Sequence, residues 1–377
     1  MANSSIPIAG DTGPSNLQEH DDSSDSESIS AGHSLSSRAS TSASEMGEPA
    51  TDWRSITSSV WNHDYESGRR YHHFRSGRYL YPNDDKEQSR EEAAHVLYSE
   101  ILDHRSFLAP VANGPQKIID LGCGPGFWAV EVADRFPEAQ VLGVDLSPIQ
   151  PLWVPPNLSF MVDDIEDHEW TYGSDFDLVY MRHTLLHLRG DFDSLLARVF
   201  SWFETHDERC TLITMAPLKT PSPPYDTSNY VVPAEARRPI CPKTGLGRIT
   251  DLCHRAVKGA WTREEVEPVH QRRALEAAGV VNVREEHFDI PMGPWPDDPR
   301  RKYLGLMKHE DLLALADPVS LKPLQNLGLS PSEINDAVQE ALEMINDASL
   351  RLAIPFTVIY AQKPDGAEQA PNTNTVE

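Results

Sequence analysis

Residues 117–148, KIIDLGCGPGFWAVEVADRFPEAQVLGVDLSP, decide how this chain folds. An apolar pair, Ile118 and Ile119, runs into Asp120 and then the turn Gly122-Cys123-Gly124-Pro125-Gly126. Past the turn, Val130, Val132 and Ala133 fall where a helix would face a sheet, and a second apolar run, Val141-Leu142-Gly143-Val144, ends in Asp145. The order is strand, glycine turn, helix, strand, acid, which is half of a parallel βαβ arrangement.

Each residue type has a physical reason to be there. Glycines at 122, 124 and 126 let the main chain take positive φ and leave room for a ligand to lie against it. Asp145, roughly 20 residues past the turn, sits where a carboxylate accepts hydroxyl hydrogens from a ribose, so the expected guest carries an adenosine. Dinucleotide folds favour G-x-G-x-x-G, with a pyrophosphate on the helix N-terminus. Here the spacing is G-x-G-x-G, and Asp120 at the strand end would repel a pyrophosphate but attract a sulfonium and an amino group. The run Asp120-x-Gly122-x-Gly124-x-Gly126 resembles motif I of the class I S-adenosylmethionine (SAM) methyltransferases without a gap; a nicotinamide enzyme and a turn that binds nothing are the competing readings. The resemblance implies SAM as cofactor and a Rossmann-like α/β fold. Its sheet would be seven-stranded and mostly parallel, with helices on both faces and an antiparallel final strand.

The 377 residues, 24% charged and 39% hydrophobic, are enough for one large α/β domain or two small ones. A net charge of -25 argues against a nucleic-acid partner, because phosphate binding needs a basic face. Short clusters such as Arg237-Arg238 and Arg300-Arg301-Lys302 read as solvated faces. Four cysteines, at 123, 210, 241 and 253, form no C-x-x-C pair and suit a reducing compartment. Cys241, Cys253 and His254 match no standard zinc spacing, so no metal is expected. The N-terminus has no basic start with an apolar core behind it, and no run approaches a membrane span. The composition therefore predicts a soluble, intracellular protein, cytoplasmic or nuclear, with no membrane partner.

Toward the N-terminus, residues 1–52 form a serine-rich, acidic tail that cannot bury enough surface to offset its ordering entropy; it is expected to be disordered and could serve a protein partner. Residues 53–110 read as an arm and a helix, the latter from about Glu87 to Asp103, covering a cofactor cleft. Within them YESGRRYHHFRSGRYLYPND, residues 65–84, resembles the segment that precedes the SAM domain in fungal LaeA-like methyltransferases. PWPDDPR at 294–300 carries the same likeness, and the resemblance spans residues 60–364. An arm beside a cofactor cleft is a natural lid, with the Tyr71 ring packing on the cofactor and the Arg75 guanidinium pairing with its methionine carboxylate; the alternative is that Tyr71, Phe74 and Tyr79 only fasten the arm to the sheet.

Toward the C-terminus, Asn157–Ile165 reads as a strand ending in acids, and the class I resemblance implies that Asp163 or Asp164, with Ile165, reaches the adenine. Leu146, next to Asp145, is a further candidate for contact with the cofactor. Phe176–Arg182 is the fourth strand, and Met181 and Arg182 lie at its carboxyl end, where sheets of this type place ligands. His183 and His187, four apart, share a face if the next turn is helical, and they are the candidates to deprotonate an acceptor. A helix at 191–204 and a strand at 210–216 follow, with Glu204–Arg209 standing where many relatives carry Leu-x-Pro-Gly-Gly. The proline-rich residues 217–260 show no period and read as an irregular insertion, either a cap over an acceptor pocket or a surface loop. A helix at 263–279, a strand at 280–290, helices at 299–316 and 331–347 and a strand at 356–362 complete the SAM-binding domain, 111–364. Residues 365–377 read as a second disordered tail.

Methyl transfer from a sulfonium needs positioning more than acid or base, so no catalytic triad is expected. The reading is a LaeA-like, SAM-dependent methyltransferase acting on a small-molecule acceptor in fungal secondary metabolite biosynthesis. The alternatives are a LaeA-like nuclear regulator working through protein partners and a non-catalytic scaffold of the same fold.

Overall fold

The computed structural model describes residues 62–111, 115–167, 170–173, 176–188, 192–201, 211–216, 244–257 and 268–364, all within one compact unit, Ser55–Glu377. The tails expected at 1–52 and 365–377, the Glu204–Arg209 turn and residues 217–243 and 258–260 of the insertion lie outside the described residues.

The described residues open with a hairpin that the pattern of aromatics and arginines did not announce: β1 (His63–Glu66) pairs antiparallel with β2 (Arg69–His72). Ser67 and Gly68 join them, both at positive φ (51° and 76°), the two-residue turn whose twist matches antiparallel strands. Helix α1 (Asp85–Ile101) begins where the Asp84 side chain accepts the Glu87 N–H at 3.1 Å, and it buries Ala94, Leu97, Tyr98 and Ile101. The deciding stretch then forms as its pattern requires, with β3 (Lys117–Leu121), α2 (Phe127–Arg135) and β4 (Gln140–Asp145). After β5 (Leu158–Val162) and β6 (Leu178–Arg182) comes a 3-10 turn, Thr184–His187, then α3 (Phe192–Ser201) and β7 (Thr211–Ala216). The remainder is α4 (Gly245–Val257), α5 (Pro268–Ala277), β8 (Val281–Pro291), α6 (Pro299–Ser320), α7 (Lys322–Gln325), α8 (Pro331–Asn346) and β9 (Ala353–Gln362).

The sheet order is β5-β4-β3-β6-β7-β9-β8. Strands β5, β4, β3, β6 and β7 are parallel neighbours, and β9 runs antiparallel to both β7 and β8. Side chains alternate across it. Ile118, Leu178 and Tyr180 pack with α1 and α2 on one face, while Ile119, Val179 and Met181 pack with Leu195 and Leu196 of α3 and Leu275 of α5 on the other. On the first face the Trp128 ring stacks on Tyr180 with centroids 3.6 Å apart.

The insertion departs from expectation, since residues 245–257 are a helix. Leu246, Ile249, Leu252 and Cys253 recur at helical spacing and pack against α8 and its surroundings. A Cβ at Gly245 would run into the Glu340 backbone of α8, so the two helices meet closely there. The chain leaves β3 toward β4 and β5 and returns on the other side through β6, so the carboxyl ends of β3 and β6 flank the crevice in which open α/β sheets bind ligands.

Candidate active site

A cavity of about 250 Å³ opens in that crevice. Its floor is the glycine turn, where Gly122, Gly124 and Gly126 all have positive φ (75°, 56° and 85°). The three are required for different reasons. A Cβ on Gly122 would sit 2.6 Å from Thr184 Oγ1 and one on Gly126 2.5 Å from the Phe160 ring, so both are demanded by the protein's own packing. One on Gly124 would meet only Glu91 Oε2, at 3.5 Å, which makes Gly124 the bare backbone facing the cavity. Gly126 does not line the cavity; it caps α2.

Carboxylates surround this floor. Asp145 accepts the Gly124 N–H on Oδ2 and the Ser147 N–H on Oδ1, each at 2.8 Å, which fixes it over the turn. Burial raises its pKa above the usual carboxylate range, and those N–H groups pull it partly back. Asp120 is pushed up to about 7 by burial, with Asp145 adding to the rise and Arg182 opposing it. Glu91 of α1 is the third acid, pushed up to about 8 by burial, with Arg90 opposing and Glu87 and Asp145 adding. Nothing local in the sequence marks Glu91; the packing of α1 across the turn brings it here. The cation that acts on both Asp120 and Glu91 is Arg182, whose Nη1 donates to His95 Nδ1 at 3.1 Å. His95 Nε2 then carries the hydrogen toward Glu131 Oε2, 3.1 Å away.

Leu146, Asp163, Asp164 and Ile165 line the adjoining wall. Asp164 is committed, accepting from Arg78 Nε and from the Glu166 N–H, both at 3.0 Å, whereas Asp163 is less buried. Ahead of α1, Arg78 is thus the arm arginine that reaches the cavity, and two lid expectations need correction. Arg75 is exposed and ion-paired with Asp167, outside the cavity lining. Tyr71 is 1% exposed, with Lys322 Nζ 3.8 Å from its ring centroid, so it fastens β2 to α7 instead of covering a cofactor. Alternation along strands explains a third: Met181 points into the core while its neighbours Tyr180 and Arg182 line the cavity.

His183 and His187 both line the cavity, but not as two positions on one helix face. His183 sits before the 3-10 turn with φ 59°, its ring 4.8 Å from Tyr98 and its Nε2 without a hydrogen-bond partner. Burial holds its imidazole well below its ordinary range, with Arg182 and Lys308 pushing the same way. His187 is gripped by the rings of Tyr79 and Tyr81 at 4.6 and 5.1 Å, and burial, with Arg90, lowers it to about 4. Beyond the histidines the wall comes from Ile290, Leu315, Ile354 and Phe356, together with Lys308 and Asp311 of α6. Among the described residues no group of three or more His, Cys, Asp or Glu could hold a metal, and no helix is long and apolar enough to cross a membrane.

Residues 93–222 match the family profile described as a methyltransferase domain. Methyltransferase pytC of Aspergillus terreus is 32% identical over 335 residues, covering 85% of this chain and 95% of that protein. Secondary metabolism regulator LAE1 of Cochliobolus heterostrophus is 30% identical over 270 residues, covering 69% and 80%. Among solved structures, a SAM-dependent methyltransferase from Archaeoglobus fulgidus aligns over 74% of this chain and 95% of its own length, with TM-score 0.39 and 14% identity. With the motif and the two fungal relatives together, the chain belongs to the LaeA-like family of SAM-dependent methyltransferases.

Proposed function

We propose that this protein transfers the SAM methyl group to a small-molecule acceptor in fungal secondary metabolism. The observation that carries the reading is the bare backbone of Gly124 ringed by Asp120, Asp145 and Glu91, three acids whose pKa values burial raises and whose ionised forms a cationic guest would favour. The residues present fit SAM. Asp120 and Arg182 form a neighbouring acid and base for the ammonium and carboxylate of its amino-acid end; Asp145 suits the ribose, and Asp163, Leu146 and Ile165 the adenine. Bound there, SAM supplies an electrophilic methyl on a leaving group that is already charged. The protein's part is to hold an acceptor atom about 3 Å from that methyl and keep water out, the proximity term worth up to about 10 kcal/mol.

A small-molecule role draws support from the match to the relative named a methyltransferase, which spans 95% of that protein's length. The match to a named regulator favours the second reading, action on secondary metabolism through protein partners in the nucleus. Calorimetry with SAM, followed by assay of S-adenosylhomocysteine (SAH) release in fungal extract, separates them. Binding with small-molecule turnover is expected, and binding without it would favour the regulator. A Gly124→Val protein that kept full SAM affinity would overturn the site itself.

A further inference from the structure

We infer that the half of the cavity beyond the glycine turn takes an uncharged, flat acceptor bearing an acidic hydroxyl, a phenol or enol, with His183 receiving its hydrogen bond and its proton. This rests on the SAM reading of the other half.

The walls are the first reason. Tyr79, Tyr81, Tyr98 and Phe356 line this end, and Tyr98 and Phe356 stack with centroids 4.9 Å apart, a surface that suits a ring. The second reason is charge. Lys308 Nζ lies 2.6 Å from Asp311 Oδ2, Arg90 Nη1 3.0 Å from Asp311 Oδ1, and Arg90 Nη2 2.7 Å from Glu87 Oε1. Two cations and two anions thus satisfy one another. An acceptor carboxylate would find both cations taken, and a lysine side chain would find Asp311 shared between two partners already.

The third reason is His183. Its Nε2 is buried without a partner, and its backbone is held left-handed, a conformation a non-glycine residue keeps only when its surroundings impose it. Arg182, Lys308 and Arg90 act on it through space, and with burial they keep the ring neutral and weakly basic, with Asp311 opposing them. A weak base matches a phenol or enol better than an alkyl alcohol. His187 is different, being clasped edgewise between two tyrosine rings. In the reaction the acceptor oxygen bonds to the methyl carbon, the S–C bond breaks with its electron pair left on sulfur, and the hydroxyl proton passes to the His183 imidazole and then to water.

The test uses the full chain loaded with SAH, whose own affinity is measured first; failure of SAH to bind would sink the cofactor reading instead of this one. Calorimetry then compares 2-naphthol, 2-naphthoate, 2-methoxynaphthalene and N-acetyl-lysine amide. The expected result is binding of 2-naphthol at least about tenfold tighter than 2-naphthoate, with no lysine binding. In His183→Asn, which tolerates the left-handed backbone, 2-naphthol should weaken about tenfold while SAH and 2-methoxynaphthalene hold their affinities. The inference is overturned if naphthoate or the lysine amide binds best, if no probe binds the SAH-loaded protein, or if the naphthol-to-methoxynaphthalene ratio is unchanged in the variant. Should the variant fail to fold, the ranking of the four probes on the wild-type protein decides alone.

Discussion

A carboxylic acid with its pKa at about 8 changes charge in the range where enzymes usually work, and Glu91 is such an acid. Its ordinary value is 4.5, so the folded protein holds a proton that the unfolded chain has lost, and stability falls as pH rises between those two values. A cationic guest reverses the penalty by welcoming the ionised form. SAM affinity should therefore climb by up to about tenfold per pH unit as Glu91 ionises, while neutral-sulfur SAH gains less. Glu91→Gln should flatten that climb and cut the SAM-over-SAH preference about tenfold at high pH by calorimetry, leaving a weaker slope near 7 from Asp120. Glycines allow a second test. A Cβ on Gly143 would come within 2.5 Å of the Phe160 ring and 3.0 Å of Cys123 Sγ, at a φ any residue can adopt. Gly143→Ala should destabilise by about 1–3 kcal/mol in denaturant titration, and adding Phe160→Leu should restore part of it. Gly126→Ala should resist the same rescue, because its φ of 85° adds about 1–2 kcal/mol of backbone strain. Asp120, Gly124 and Asp145 were legible from the sequence because spacing along one turn is local. Glu91 and Arg78 were not, because their positions depend on how the arm packs.

At the scale of elements, Asp84 does two jobs. It caps α1 through the Glu87 N–H, and it receives the Arg69 guanidinium of β2 on both oxygens, at 2.6 and 2.9 Å. Arg69 is 9% exposed, so it cannot turn to water when the acid is removed, though Asp317 remains beside it. Asp84→Ala should cost about 2 kcal/mol, near the upper end for a lost cap, while Asp298→Ala at the start of α6, where the side chain accepts only the Arg301 N–H, should cost about 1. Urea midpoints of the two variants would compare them directly. The elements that sequence reasoning missed share a cause. The β1–β2 hairpin is too short to show alternation, and α4 carries a helical apolar spacing hidden behind a proline-rich approach.

On the scale of the whole molecule, the arm is clamped at both ends. Lys86 and Arg69 meet Asp317 of α6, Lys322 of α7 meets Glu66 at 2.8 Å, and Arg78 crosses to Asp164. Removing residues 1–61 should leave SAM affinity within about twofold, whereas removing 1–84 takes away Arg78, Tyr79 and Tyr81 and should lower it at least about tenfold, even in protein that still folds by circular dichroism. Apolar runs, turn glycines and strand-end acids determined, by themselves, the parallel sheet and the edge on which its cavity opens, because period and turn chemistry act over a few neighbouring residues. Only the tertiary structure decided that Arg78 and not Arg75 reaches the cavity, that Tyr71 serves the fold, and that Glu91 joins the acids around Gly124. Those outcomes depend on contacts such as Arg78 to Asp164, 86 residues apart, and no local pattern encodes which side chain a distant packing surface will turn inward.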